Sequence, residues 1–473
     1  MPRRGAGDAS AHGPQRQELL LTGWGRTAPT RAAVARPASA DGINDVLGGS
    51  GARGVIPRGM GRSYGDAAQN AGGVVVSTQG LPGSVELDSA VGRARVSAGT
   101  SLGQLIDHIL PRGWFPGVVP GTQFVSIGGA IASDVHGKNH HRDGSFCEHV
   151  REIDLALPRA GRAALTPDGD AADAFWATAG GMGLTGVALA AELQLRPVTT
   201  AYMCVDTTRT ADLEQSMRVL ADADATAQYT VAWVDLLSRG GAFGRGIVTA
   251  GEHAAPGDID QAGTEPGIAV PPNRRLASVP VVPVRTGVLH PGAMRLFNEL
   301  YFRRAPAEPV RGIEPIWGYF FPLDVVGNWN RLYGRAGMLQ HQFVIPETAA
   351  ARLIPMVERL VADGVPIYLA VLKRLRDASG PLGFPIRGWT LALDIPAGAP
   401  GLREALDRLD TAVADCGGRV YLAKDARLRA ELVPVMYPRL DEWRAVRDRL
   451  DPARVMRSDL DRRLSLVAPQ SLT

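Results

Sequence analysis

Hydrophobic and polar positions alternate over short stretches in the first 200 residues, and glycine-rich turns separate these stretches. Ala94, Val96 and Ala98 alternate with polar residues, which predicts a half-buried strand. Leucines and isoleucines then follow helical spacing behind Ser101 and Gln104, a pair that matches a capping box. The pattern therefore predicts a strand followed by a helix.

A second helix and strand are predicted before residue 198. Asp170 is a candidate N-cap for a helix that includes Trp176 and ends at the glycine pair 180–181. Strand periodicity returns over residues 187–195, and Pro197 is expected to stop it. This part of the chain thus mixes short strands with helices.

The pattern changes after residue 198, where longer strand-like runs are followed by amphipathic segments. Strands are predicted at 229–235, 339–345, 367–373 and 390–395, and helices at 348–363 and 402–416. These elements predict a second α+β domain on a mostly antiparallel sheet. Six prolines within 265–291 predict a long mobile loop inside that domain.

Composition narrows the class of protein. The chain has 473 residues, of which 51 are Lys or Arg, 48 are Asp or Glu and 45% are hydrophobic. This near balance of positive and negative charge is typical of a folded enzyme. A polybasic nucleic-acid-binding protein is therefore not expected. Cys147, Cys204 and Cys416 form no CxxC pair, so a reducing compartment is expected. Because the N-terminus lacks the apolar core of a signal peptide and no stretch is long enough to span a membrane, we expect a cytoplasmic or membrane-associated protein.

The strongest local motif is the glycine-rich segment RGMGRSYGD at 58–66. Its glycines allow successive backbone N–H groups to converge on a diphosphate, although a plain surface turn is an equal alternative on this segment alone. It lacks the GK[ST] of a phosphate-binding loop and the following helix of a dinucleotide-binding turn. Two further segments of small residues occur at 120–130 and 179–186. Three such segments within 130 residues favour one extended cofactor contacted by backbone.

Four segments together carry a family resemblance. They are RGMGRSYGD at 58–66, PGTQFVSIGGAIASDVHGKNH at 120–140, FWATAGGMGLTG at 175–186 and YPRLDEWRAVRDRLDPARVMRSDL at 437–460. With them the chain resembles the flavoproteins of the vanillyl-alcohol-oxidase type. The HGKNHH and YLAKD segments narrow this resemblance to the decaprenylphosphoryl-β-D-ribose 2′-oxidases, the flavoprotein subunits of a 2′-epimerase.

The resemblance implies an α+β fold with a two-subdomain FAD-binding domain and a substrate domain. We expect a disordered N-terminus over 1–18, the FAD-binding domain over 19–197, the substrate domain over 198–418 and a C-terminal segment over 419–473 that returns to the FAD-binding domain. Sugar-alcohol oxidases of this type often carry a flavin-linking His where this chain has Tyr64, so FAD is expected to be non-covalent. The implied cofactor-binding residues are Arg58, Gly59, Gly61, Arg62, Ser63, Tyr64, Gly65, Gly121, Thr122, Ile127, Gly128, Gly129, Ser133, Val135, Asn139, Gly183, Gly186, Val187 and Tyr421.

Candidate chemistry lies in two short segments. His136 and His140 are four residues apart, yet Gly137 weakens a helix there and no HExxH carboxylate accompanies them, so a metal site is disfavoured. Solvated or core histidines remain an alternative. The resemblance places His136 and Lys138 at the substrate face of the flavin, where a cation orients a sugar hydroxyl or a phosphate.

Lys424 lies in the segment 420–425, which predicts a buried strand, and a lysine desolvated beside a flavin has a lowered pKa or stabilises negative charge. A solvated surface lysine is the alternative. The resemblance implies that Lys424, His136 and Tyr64 are catalytic. It also implies a set of substrate-binding residues: Lys138, Tyr421, Gln340, Gln342, Trp233, Lys373 and Thr390.

The implied activity is FAD-dependent oxidation of the C2′ hydroxyl of polyprenylphosphoryl-ribose to a 2′-keto product. This is the first half of an epimerisation that yields the arabinose donor for cell-wall polysaccharide, so an NAD(P)H-dependent short-chain reductase is an expected partner. A groove for the polyprenyl tail is expected near the proline-rich loop, with Val270, Val281, Val282 and Val284. The alternatives are a sugar-alcohol or aldonolactone oxidase of the same superfamily and a flavin-free scaffold protein.

Overall fold

The structure is a computed structural model that describes residues 16–159, 161–261, 268, 270–273 and 275–468. Its first sheet is small and mixed. The elements are β1 (Arg16–Leu21), β2 (Thr30–Ala35), α1 (Ala40–Gly48), β3 (Val55–Arg58) and β4 (Val74–Ser77). The strand order is β1-β2-β4-β3, with β2, β4 and β3 parallel to one another. Residues 16–18, which the sequence assigned to a disordered N-terminus, belong to β1, while residues 1–15 lie outside the described part.

The second sheet is antiparallel and carries the helices that flank the cofactor segments. In chain order its elements are β5 (Val85–Asp88), β6 (Arg93–Ser97), α2 (Leu102–Ile109), β7 (Trp114–Pro116), α3 (Ile127–Ala132), α4 (His140–Asp143), β8 (Val150–Leu157), β9 (Gly161–Leu165), α5 (Ala172–Thr178) and β10 (Val187–Pro197). The strand order is β5-β6-β10-β8-β9, and β7 also pairs with β10.

Several elements of the second sheet agree with the predictions from local sequence patterns. The predicted strand around Val96 is β6, and α2 has the predicted capping box, in which Ser101 Oγ accepts from the backbone N of Gln104 at 3.2 Å. The predicted N-cap at Asp170 is wrong. The helix α5 begins after Ala171, which has no side-chain cap, because the turn at Gly169 displaces the helix start beyond Asp170.

The third sheet has eight antiparallel strands. Its elements are β11 (Tyr202–Thr210), α6 (Leu213–Asp224), β12 (Tyr229–Val234), β13 (Gly246–His253), α7 (Pro256–Gln261), α8 (Pro291–Arg304), β14 (Val310–Pro315), α9 (Ile316–Phe320), β15 (Met338–Pro346), α10 (Leu353–Ala362), β16 (Leu369–Leu375), β17 (Gly388–Pro396), α11 (Leu402–Asp415) and β18 (Arg419–Val420). The strand order is β14-β11-β13-β12-β16-β17-β15-β18.

The four strands predicted for this domain are confirmed as β12, β15, β16 and β17, although the strands β11 and β13 had no clear sequence signal. The helix predicted over 348–363 starts later, because a 3₁₀ turn over Glu347–Arg352 precedes α10. The proline-rich loop 265–291 lies partly outside the described residues. Its described residues form no helix or strand before Pro291, the first residue of α8.

The C-terminal segment packs back against the first two sheets through α12 (Val433–Met436), α13 (Leu440–Leu450) and α14 (Asp459–Leu464). The buried Trp443 donates its indole N–H to Ala177 O at 2.9 Å. Arg463 pairs with the carboxylate of Asp66, the last residue of the first glycine-rich segment, at 2.7 Å. Among the described residues, no helix is both long and apolar enough to cross a bilayer.

A buried ion pair fixes α13 against the second sheet. Arg447 is fully buried, donates to Asp451 Oδ2 at 2.7 Å and also donates to Leu184 O at 3.2 Å. Asp451 in turn accepts from the backbone N of Met456 at 2.7 Å. Every strong donor and acceptor of this pair therefore has a partner inside the protein.

Removal of one member of this pair should be costly because it leaves an uncompensated buried charge. We expect Asp451→Ala to lower the free energy of unfolding by about 3–5 kcal/mol. The matched control is Asp441→Ala, since the Asp441 carboxylate is 91% exposed in its pair with Arg444 and such pairs contribute about 0–1 kcal/mol. Urea denaturation followed by tryptophan fluorescence measures both, and equal effects would contradict the assignment.

Candidate active site

A single cavity collects the three glycine-rich segments and one face of the third sheet. Its walls include residues from 57–64, 120–136 and 178–188, together with β15, β16 and the turn after β18. Predicted site residues that line it are Gly59, Gly61, Arg62, Ser63, Tyr64, Gly121, Thr122, Gly128, Gly129, Ser133, Val135, His136, Gly183, Gly186, Gln340, Gln342, Lys373, Tyr421 and Lys424.

Glycines allow the segments to meet around this cavity. A Cβ on Gly59 would lie 2.0 Å from Ser126 Oγ, so the first segment touches the second only because no side chain is present. Gly183 has φ +74°, and a Cβ there would lie 2.8 Å from Pro57 Cγ. The first and third segments therefore also touch through a glycine. The resulting wall is backbone, which suits a flat, extended cofactor such as FAD.

The third sheet presents alternate residues to the cavity. Directly opposed residues of neighbouring strands share a face, and Val371, Ala392 and Gln342 form one such row from β16 through β17 to β15. All three line the cavity. Trp233 on β12 lies opposite Val371 and extends the row beyond the cavity lining. Its ring packs against the Tyr301 ring, with 4.9 Å between the two centroids.

A hydrogen-bond chain sets the proton position on His136. Thr390 donates its hydroxyl to Phe343 O at 2.8 Å, so its oxygen is left to accept from Gln342 Nε2 at 3.1 Å. The same amide nitrogen lies 2.8 Å from His136 Nε2, which must therefore be an acceptor. Burial lowers the pKa of His136 well below its usual value, and Lys373 lowers it further. The neutral ring consequently carries its hydrogen on Nδ1, a buried atom that has no hydrogen-bond partner in the described part of the chain.

Lys424 lies in the turn after β18 rather than in a buried strand, because β18 spans only Arg419–Val420. Its Nζ is 4.2 Å from the centroid of the Tyr64 ring. Burial lowers the pKa of Lys424 to about 7, with Asp394 opposing and Lys373 reinforcing that shift. The pKa of Lys373 is lowered to about 8, again by burial.

Lysine usage sets these groups apart from the rest of the chain. Of the 51 Lys and Arg residues, three are lysines: Lys138, Lys373 and Lys424. Burial lowers the pKa of each of them. A guanidinium stays protonated in proteins, whereas an ammonium that loses water is able to release its proton near neutral pH. Two of the three lysines, Lys373 and Lys424, line this cavity, and Lys138 lies outside its lining.

The two tyrosines of the cavity contribute rings rather than phenolates. Tyr421 donates its hydroxyl to Ser133 O at 2.7 Å, and its ring centroid is 5.0 Å from that of His136. Burial raises the pKa of both Tyr421 and Tyr64 well above the usual value. At neutral pH both side chains are therefore uncharged.

Eight predicted site residues do not line the cavity: Arg58, Gly65, Ile127, Lys138, Asn139, Val187, Trp233 and Thr390. Several of them support residues that do. Arg58 donates to Thr22 O and Ala68 O, which holds the first glycine-rich segment in place. Lys138 donates to Tyr319 O at 2.5 Å and lies over the Tyr319 ring. Asn139 donates to Gly117 O at 2.8 Å.

Three of the others are held by packing. Ile127 and Val187 belong to the hydrophobic core, and a Cβ on Gly65 would lie 1.9 Å from Asp425 O. In the histidine pair that the sequence offered as a possible metal site, His140 uses both ring nitrogens in hydrogen bonds within the protein. His140 Nε2 lies 3.0 Å from Ser145 Oγ, and its Nδ1 accepts from the backbone N of Arg376 at 3.1 Å.

Two buried carboxylates were missed from the sequence. Asp324 lines the cavity and accepts from Thr122 Oγ1 at 2.8 Å and Gln123 N at 2.7 Å. No motif surrounds it. Asp394 accepts from Gln340 Nε2 at 2.6 Å, and burial raises its pKa to about 6. Strand alternation from Thr390 would have placed Asp394 on the same face.

Comparison with known proteins defines the class. The FAD binding domain family matches residues 31–164, which contain the first two glycine-rich segments. The protein is therefore a flavoprotein, and FAD is its cofactor. Decaprenylphosphoryl-beta-D-ribose oxidase of Mycolicibacterium smegmatis is 38% identical over 452 residues, which cover 94% of this chain and 97% of that protein. The chain belongs to the decaprenylphosphoryl-beta-D-ribose oxidase family of FAD-dependent oxidoreductases.

Two further relatives differ in how much of this chain they match. An uncharacterised protein of Streptomyces coelicolor is 39% identical over 380 residues, 77% of this chain and 100% of that protein. Alditol oxidase of a Streptomyces species is 26% identical over 179 residues, which cover 37% of this chain and 42% of that protein. The likeness to the sugar-alcohol oxidase is thus partial.

The contact between the first two glycine-rich segments generates a prediction. Gly59→Ala should lower the affinity for FAD by roughly 10-fold or more, because the added methyl group forces Ser126 and the segment apart. The ratio of flavin to protein absorbance after dialysis measures this loss.

The controls separate a local clash from general damage. Gly48→Ala should keep native FAD content, since an added Cβ there meets no atom within 4 Å. The double variant Gly59→Ala with Ser126→Ala should regain part of the flavin. Full FAD content in the single variant would show that this contact does not shape the site.

Proposed function

We propose that this protein oxidises the C2′ hydroxyl of polyprenylphosphoryl-ribose to a 2′-keto product, the first half of epimerisation to the arabinose donor for cell-wall polysaccharide. The observation that carries the proposal is the cavity itself, in which two buried lysines and a neutral histidine face the backbone wall of an FAD-binding domain. The close relative named for this ribose substrate covers nearly the whole chain, which supports the same choice of substrate.

The residues divide the work by their protonation states. Lys373, with a pKa of about 8, is mostly protonated at neutral pH and is suited to bind the anionic phosphodiester of the substrate. His136 presents a free Nδ1–H, which is suited to donate to a sugar hydroxyl. Lys424, with a pKa of about 7, is present in part as the neutral amine and is suited to accept the C2′ hydroxyl proton.

FAD, held by the three glycine-rich segments, supplies the two-electron acceptor for this oxidation. Tyr64 stands where a linking histidine occurs in some relatives, so we propose that the flavin is not covalently attached. The Tyr64 ring lies against Lys424, which helps to keep water from that ammonium group and so to preserve its lowered pKa.

Epimerisation requires that the keto group be reduced again from the opposite face. We therefore propose an NAD(P)H-dependent short-chain reductase as the partner that consumes the product. The polyprenyl tail of the substrate resides in a membrane, and we propose peripheral contact between this protein and that membrane. Both proposals follow from the chemistry of the proposed substrate and product.

Anaerobic visible spectroscopy tests the proposed substrate. We expect the flavin band to bleach when polyprenylphosphoryl-ribose is added and to persist when a free sugar alcohol is added. Bleaching by the polyol alone would assign the protein to the sugar-alcohol oxidases. A band that neither compound affects would overturn the proposed chemistry while leaving FAD binding intact.

Substitution of Lys424 tests the proton acceptor. In the native protein the rate of flavin reduction should rise as pH increases through about 7, because the neutral amine fraction increases. Lys424→Met and Lys424→Arg should both slow this step by roughly 10²-fold or more and remove that pH dependence, since neither side chain accepts a proton. Stopped-flow absorbance measures the rate.

The arginine variant distinguishes two roles. Native-like reduction by Lys424→Arg would show that the group acts by charge alone and is not the proton acceptor. Because the chain has three lysines, ε-¹³C-lysine labelling gives three assignable NMR signals, so the pKa of Lys424 is measurable directly in the resting holoenzyme.

A further inference from the structure

The helix α8 has its polar and apolar faces reversed. Its buried side chain is Asn298, which donates to Asp235 Oδ1 at 2.8 Å, and its neighbour Glu299 pairs with Arg245 at 2.7 Å. The inward side of the helix therefore carries buried polar groups beside the half-buried Met294 and Phe302. Such a helix would ordinarily place its apolar residues toward the protein.

The outward side of α8 carries large apolar side chains at helical spacing. We call this set the apolar face; its members are Leu296, Phe297, Leu300 and Tyr301, exposed by 63%, 56%, 60% and 44%. The rings of Phe297 and Tyr301 lie nearly parallel, with centroids 6.2 Å apart. An ordered stripe of this kind on a surface marks an interaction site more often than isolated apolar residues do.

Exposed apolar residues also occur on both sides of α8 in the chain. They are Leu276, Val281, Val284 and Val288 before the helix and Val310 and Leu323 after it. The valines that were expected to bind the polyprenyl tail differ in exposure. Val281 is 67% exposed, whereas Val270 is partly buried and packs against a buried cluster that includes Phe320. The apolar exposure in this region is centred on the helix and the segment just before it.

Arginines accompany the apolar face. Arg295, Arg303 and Arg304 lie on α8 itself, and Arg285 lies in the preceding segment. Arg303 pairs with Glu299. For Arg285 and Arg304, the described part of the chain offers no carboxylate within ion-pair distance, whereas Arg295 shares a surface pocket with Asp235 and Glu299. The surface thus combines apolar side chains with uncompensated positive charge, which complements an anionic bilayer surface.

The apolar face adjoins the wall of the cavity. Met294, on the inner side of α8, packs in the cluster that contains Tyr64, and Tyr64 lines the cavity. Tyr301 contacts Trp233, the outermost residue of the cross-strand row that reaches Gln342. Leu323 both lines the cavity and is 42% exposed. A lipid bound at this surface would therefore be near the cavity.

We propose that the apolar face of α8 docks on an anionic lipid bilayer and holds the cavity at the membrane surface. The choice of a bilayer as occupant rests on the charge and apolar pattern, and its purpose rests on the proposed function, since a polyprenyl-linked sugar reaches the cavity from the membrane. Leu, Phe and Tyr enter the interfacial region of the bilayer while the arginines contact lipid phosphates.

Co-sedimentation of the holoprotein with vesicles tests this docking. The vesicles contain phosphatidylcholine with or without phosphatidylglycerol and carry no substrate. We expect the native protein to bind the anionic vesicles and the variant Leu296→Ser, Phe297→Ser, Leu300→Ser to bind them at least ~10-fold more weakly. A triple control, Leu20→Ser, Val91→Ser, Val435→Ser, removes similarly exposed apolar residues elsewhere and should bind like the native protein.

Charge variants give a second, independent measurement. Arg285→Gln and Arg304→Gln should each weaken binding to anionic vesicles by about 5-fold, and added salt should reduce this difference. Flavin absorbance and tryptophan fluorescence report whether each variant is folded.

Three outcomes overturn the proposal: no vesicle binding by the native protein, equal binding by the face variant, or loss of a dimer or of reductase binding as the sole effect of that variant. The last would make the face a protein interface. Because no substrate is present, a negative result leaves the proposed oxidation standing. Conversely, failure of lipid-linked ribose to bleach the flavin leaves the vesicle result unaffected.

Discussion

Removal of water from an ammonium group destabilises its charged form, and the cavity imposes this on Lys373 and Lys424 side by side. The surrounding arrangement depends on that constraint. Asp394 opposes part of this effect at Lys424, and the Tyr64 ring lies against the same ammonium group. A lysine under these conditions is an acid and base at neutral pH, whereas an arginine in its place would remain a fixed charge.

The backbone supports this arrangement from several distant parts of the chain. Glycines let the three cofactor segments touch, and the C-terminal helices tie them together through Trp443 and Arg463. The turn that carries Lys424 packs against Gly65, so the first cofactor segment and Lys424 are positioned by one contact. The positions of the cofactor segments and of Lys424 therefore depend on packing between segments that are hundreds of residues apart in the sequence.

The sequence specified those features that depend on local patterns. The capping box of α2, the alternation in β15 and β17, and the glycine-rich segments were all predictable, and most of the residues that the family resemblance indicated line the cavity. Asp324 was not predictable, because its partner Thr122 lies 202 residues away and no motif surrounds it. The reversed helix α8 shows the same limit, since periodicity reveals an apolar stripe but not which side of the helix meets the protein.

The placement of Lys373 and Lys424 in the cavity, with arginines over most of the rest of the protein, affects how its charge depends on pH. Apart from Lys138, the Lys and Arg side chains outside the cavity are guanidinium groups, which keep their protons at any pH the fold is expected to survive. Moderately alkaline conditions thus neutralise Lys373 and Lys424 while the arginines keep their charge. The charge of the two cavity lysines therefore varies with pH over a range in which the charge of the arginine-bearing surface does not, so the two are independently adjustable.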